Sequence, residues 1–132
     1  MTRRSLREQV FKLLFRVEFN DSEAMEEQKG LFFETSDIEM SEEDAQFVKN
    51  RYEQAVSHLE EIDKLINEKA KGWTTERMGK VDLTIIRLGV FEIVFDEELA
   101  NNIAINEAVE LAKKFGQDES SAFVNGVLAK FL

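Results

Sequence analysis

An all-α fold, built as a single compact domain of six to seven helices over residues 1–132, is what this sequence predicts, and three observations carry the expectation. Proline is absent from all 132 residues. Apolar residues recur at three- and four-residue steps through most of the chain, the spacing of one helix face. The six glycines fall mainly between those periodic segments. A chain of this length buries a core without disulfide or metal staples, and 43% hydrophobic residues with charges of both signs exclude a disordered tail.

The elements follow in order. Ser5 with Glu8 has the capping-box spacing, so a first helix is expected from there to about Phe19, with Leu6, Val10, Leu13, Leu14 and Val17 as its core stripe. DSEAMEEQ to about Phe33 is a weaker helical pattern, and ETSDIEM reads as a loop. Ser41 with Asp44 starts a helix of about thirty residues, in which Val48, Tyr52, Ala55, Leu59, Ile62 and Ile66 repeat until Gly72 stops it. From Glu76 to Phe95 the chain is apolar nearly all round, the mark of a helix buried at a domain centre. A β reading of IIRLGVFEIVF fails because the helical neighbours offer a strand no partner. Asn102 to Phe115 is amphipathic and ends at Gly116, and Ser120 or Ser121 caps a last helix carrying Val124, Val127, Leu128 and Phe131.

Most chemistry is excluded by what these segments lack. There is no cysteine, so disulfides and thiolate metal sites are ruled out. His58 is the single histidine and no Glu-x-x-His pair exists, which removes metal sites that need several ligands at fixed helical spacings. Phosphate-binding glycine loops and the Gly-x-Ser-x-Gly elbow are also missing, so no catalytic residue, metal or cofactor is expected. No run approaches the roughly 18 apolar residues of a membrane span, and the polar, arginine-bearing start has no apolar signal core. A cytoplasmic protein without membrane contact is the resulting expectation.

One region departs from the general charge. The chain carries a net charge of −10, yet Arg3, Arg4, Arg7, Lys12 and Arg16 stand against Glu8 alone in its first sixteen residues, which makes them +4 and the remainder −14. On a helix turning about 100° per residue, Arg4, Arg7, Phe11 and Phe15 share a face beside the core stripe, while Lys12 and Arg16 point elsewhere. Arginine forks match phosphate and phenylalanine faces accept unpaired bases, so this face has the ingredients of a single-stranded RNA site. Burial of both phenylalanines in a second core contact is the competing reading. Near the other terminus, Phe123 lies one position off the last helix's stripe and Gly126 sits mid-helix, where glycine costs about 1 kcal/mol against alanine. Such a glycine marks close approach by a ligand or by another helix.

Three blocks gather these residues into a pattern. RRSLREQVFKLLF, GWTTERMGKVDLTIIRLGVFEI and AINEAVELAKKFGQDESSAFVNGVL resemble the NusB family of transcription antitermination proteins from residue 3 to the last helix, and the third block is the most specific. The resemblance implies two small helical bundles packed across each other and no enzymatic activity. It implies a heterodimer with a small-subunit ribosomal protein, also called NusE. That pair binds boxA RNA, joins RNA polymerase and other Nus factors, and supports transcription of ribosomal RNA operons. Carried over by motif, Arg3, Arg4, Arg7, Ser120 and Phe123 match the RNA-binding positions, and Glu76 and Asp82 match partner-binding positions on the central helix. Some relatives self-associate, so a homodimer stays open beside a monomer.

The sequence also departs from the family. LANNIA stands where a lysine-bearing, proline-containing loop is usual, Ala122 stands where lysine is usual, and Leu83 with Thr84 replaces a charged-then-small pair. Weaker free RNA binding and greater reliance on the partner are expected. Two other readings are an RNA-binding appendage of the kind that precedes some ribosomal RNA methyltransferases, and a structural helical adaptor that never touches nucleic acid.

Overall fold

The computed structural model describes every residue from Met1 to Leu132 as seven α-helices and one 3-10 turn, with no strand. Contacts within the chain gather into two compact units, Met1–Val56 and Ser57–Leu132.

The first unit holds α1 (Arg3–Phe15), a 3-10 turn (Arg16–Glu18), α2 (Ser22–Glu34) and α3 (Glu42–Ser57), whose last residue passes into the second unit. Helix α1 starts earlier than the Ser5–Glu8 spacing predicts. Thr2 is its N-cap, accepting the Ser5 amide at 3.0 Å and donating its hydroxyl to Ser5 Oγ at 2.9 Å. Leu6, Val10, Leu13 and Leu14 are buried as the periodicity requires. The α-helix ends at Phe15 rather than near Phe19, because the chain tightens into the 3-10 turn and Asn20 donates to the Arg16 carbonyl at 2.9 Å. Asp21 then caps α2 by accepting the Ala24 amide at 2.8 Å. Ser41 starts α3 as expected, taking the Asp44 amide at 3.1 Å. The Met1 ammonium lies 3.2 Å from Asp44, which ties the chain start to α3.

The second unit holds α4 (Leu59–Lys69), α5 (Lys80–Phe95), α6 (Asn101–Phe115) and α7 (Ser120–Ala129). The thirty-residue helix predicted from Ser41 to Gly72 is therefore broken at His58. There the backbone leaves helical geometry, and the imidazole stacks on Phe95 with centroids 4.0 Å apart. Helix α5 begins at Lys80, not Glu76, and packs on α4, α6 and α7. Leu83, Ile85, Ile86, Leu88, Val90 and Phe91 are all buried, as an element apolar on every side must be.

A Cβ on Gly89 would lie 2.7 Å from Leu128 Cδ1, so glycine lets α7 close onto α5. Gly126 is exposed with nothing within 4 Å of such a Cβ, which removes tight helix packing as its explanation. Arg87 forks onto Asp63 with Nε and Nη2 each donating at 2.8 Å, and so fastens α5 to α4 by a bidentate ion pair.

Candidate nucleic-acid interface

The basic start is shaped by α1. With Thr2 as the cap, Arg3 and Arg4 occupy the first turn and Arg7 the second; Arg3 and Arg4 are exposed and Arg7 is half-buried. No acidic residue occupies that first turn. Cations at a helix N-terminus oppose the macrodipole at roughly 0.3–1 kcal/mol each, so this arrangement works against α1's own stability. Violations of that kind concentrate at functional sites. Lys12 and Arg16 point to other contacts. Lys12 lies 3.8 Å from Glu8, and Arg16 donates to Gln28 Oε1 at 3.1 Å while lying 5.2 Å over the Phe32 ring.

The phenylalanines of this face divide. Phe11 is buried and belongs to the core, which withdraws it from any stacking role. Phe15 is half-buried, and Phe19 beyond it is 60% exposed, its ring edge-on to Phe15 at 5.1 Å. The competing reading is thus right for Phe11 alone.

In the second unit, Ser120 and Phe123 lie on the first turn of α7 but in different environments. Ser120 is 3% exposed, and its hydroxyl accepts the Gln117 amide at 2.9 Å, which fixes the Gly116–Glu119 turn ahead of the helix. The residue at the N-cap is Glu119, so neither serine caps α7 as expected. Phe123 is half-buried, and its ring meets Trp73 at 5.3 Å and 70°. Trp73 is 49% exposed, and Arg77 lies over it at 5.6 Å. Neither Trp73 nor Arg77 stands out in a helical-period reading, since both fall in the non-helical GWTTERMG stretch; an isolated tryptophan among polar residues was the available signal.

Of the two acidic positions expected on the central helix, only Asp82 lies there. Glu76 is exposed in the turn before α5, not on the central helix, while Asp82 is half-buried in its first turn, where a carboxylate suits the helix dipole. Leu83 and Thr84 are buried, with Thr84 Oγ1 donating to the Lys80 carbonyl at 2.8 Å, so these two departures are absorbed by the core. No cluster of three His, Cys, Asp or Glu side chains is placed to hold a metal ion, and no helix is long and apolar enough to cross a membrane.

Comparison with known proteins gives this geometry a context. The NusB family profile matches residues 4–132. The Transcription antitermination protein NusB of Agathobacter rectalis is 52% identical over 131 residues, covering 99% of both chains. Its counterpart from Clostridium novyi is 42% identical over all of this chain and 98% of its own. Among solved structures, T. maritima NusB superposes with a TM-score of 0.86 at 30% identity, over 99% of this chain and 90% of that one. A crystal structure of the antitermination factors NusB and NusE in complex with dsRNA gives 0.79 at 29% identity, over 98% and 94%. With the same all-helical fold and a match running through all three sequence blocks, this chain belongs to the NusB family of transcription antitermination proteins.

Proposed function

We propose that this protein is a non-catalytic antitermination factor that binds boxA RNA together with the ribosomal protein NusE and supports transcription of ribosomal RNA operons in the cytoplasm. The observation that carries the proposal is the set of three arginines in the first two turns of α1, placed against the helix dipole in a chain of net charge −10. A relative seen with NusE and RNA supports both partners.

In this reading Arg3, Arg4 and Arg7 meet RNA phosphates and Phe123 stacks on a base. Ser120, buried, acts by holding the turn that leads into α7 rather than by touching RNA. Glu76 and Asp82 face the basic ribosomal protein, and an acidic chain attracts such a partner over distance. RNA polymerase and other Nus factors join the larger complex.

With Ala122 in place of a lysine, the isolated chain should hold RNA weakly. A gel-shift titration of boxA RNA with and without NusE should show at least tenfold tighter binding by the pair, about 1.4 kcal/mol of coupling. Absence of any shift under both conditions would refute the proposal.

A further inference from the structure

The connection between α4 and α5 is a second cationic exception on this acidic protein. Lys69, Lys71, Arg77 and Lys80 stand against Glu76 alone from residue 69 to residue 80. The only tryptophan of the chain, Trp73, is displayed at its centre.

The display is built. Gly72 holds φ +85, a left-handed turn that disfavours any other residue. Trp73 N–H donates to the Ala70 carbonyl at 2.8 Å, the Thr75 amide donates to Asn67 Oδ1 at 2.8 Å, and the Arg77 amide donates to the Thr74 carbonyl at 3.0 Å. Buried Ala70 and Met78 anchor the two ends. Arg77 is held as well, its Nη1 donating to the Gly72 carbonyl at 3.0 Å, and a guanidinium has five N–H donors. An indole held half in solvent, with a pinned guanidinium over it and Phe123 at its side, is the combination that grips a base and its phosphate together.

We propose that Trp73 stacks on an unpaired base of single-stranded RNA while Arg77 meets the neighbouring phosphate, so that the Gly72–Arg77 turn is an RNA-contacting element in its own right beside Phe123. The proposal rests on the RNA-binding function proposed above and adds the residues that carry it in the second unit. A folded core needs no half-exposed tryptophan in a lysine-rich turn, whereas base stacking needs both an open π-face and nearby positive charge.

The single tryptophan makes the test direct. A short single-stranded boxA RNA, labelled for anisotropy, is titrated into the full chain while Trp73 emission is followed. Emission should be quenched in step with the anisotropy rise, and a duplex of the same length should leave it unchanged. Trp73→Ala should weaken single-strand binding by between about 5- and 150-fold, the range of one lost stack, while Trp73→Phe restores most of it. Binding with unaltered emission, or equal affinity in Trp73→Ala, would overturn the inference while leaving RNA binding itself intact. No binding of wild type, alone and again with NusE added, would remove the antitermination reading and this inference together. If Trp73→Ala weakens NusE association and leaves RNA affinity untouched, the turn is a protein-docking element and the inference is wrong.

Discussion

Glycine shows how one residue type serves opposite ends in neighbouring helices. At Gly89 a methyl group would press on the Cδ atoms of Leu128, which is fully buried and would have to shift within the core. Overpacking costs about 1–3 kcal/mol, more than the roughly 1 kcal/mol that alanine adds in helix propensity, so Gly89→Ala should destabilise. Gly126 faces open space, so the same substitution there should raise stability by about 0.5–1 kcal/mol. Thermal melts of the two variants should shift in opposite directions; shifts of the same sign would show that the α5–α7 approach is misjudged. The periodic pattern of α5 reveals that Gly89 is inside a helix, but not that Leu128 lies opposite it. That contact exists between elements distant in sequence, which explains why Gly126, rather than Gly89, attracts attention in the sequence alone.

At the level of elements, apolar periodicity made α2, α5, α6 and α7 legible, because each buries one or more faces in the order its spacing dictates. Ends were less legible. Thr2 competes with Ser5 for the cap of α1, and both spacings are chemically acceptable. The break at His58 leaves no proline or glycine signal; it goes with a stack on Phe95, which sequence spacing does not disclose. Between α2 and α3, Lys29 donates to Glu26 at 3.1 Å and to Glu53 at 3.3 Å, and Tyr52 is buried nearby in sequence. The hydrogen bond to Glu26, then that to Glu53, raises the Lys29 pKa against the opposing effect of burial, and burial raises that of Tyr52. Both groups therefore keep their protons more tightly in the folded state. Their contribution is fully present below the ordinary lysine and tyrosine values and is lost as pH climbs through the raised ones. Since Tyr52 is the only tyrosine, absorbance of its phenolate should appear above the ordinary tyrosine range, together with loss of helix signal from the first unit. Titration at the value of free tyrosine in a fully helical protein would contradict this.

Across the whole molecule, charge is distributed by segment rather than evenly. From Glu18 to Asp44 only Lys29 is cationic, whereas residues 1–16 are +4 and the turn from Lys69 to Lys80 is +3. The arginine start was legible because three cations cluster within seven residues; its opposition to the α1 dipole was not, since that depends on Thr2 being the cap. Phe123 was legible by its place off the last helix's stripe, but its partner Trp73 sits in a segment without period, where pattern reading has no purchase. Local cationic faces let an acidic protein hold RNA by its phosphates, and the decisive measurement is the salt dependence of boxA RNA binding, followed by anisotropy for wild type and for the triple variant Arg3→Ala, Arg4→Ala, Arg7→Ala. Each lost phosphate contact removes roughly 0.7 from the log–log slope for a single strand, so the triple variant should bind more weakly with a slope shallower by up to about 2, and with its helix content intact. Equal affinity and equal slope in the two proteins would contradict the claim.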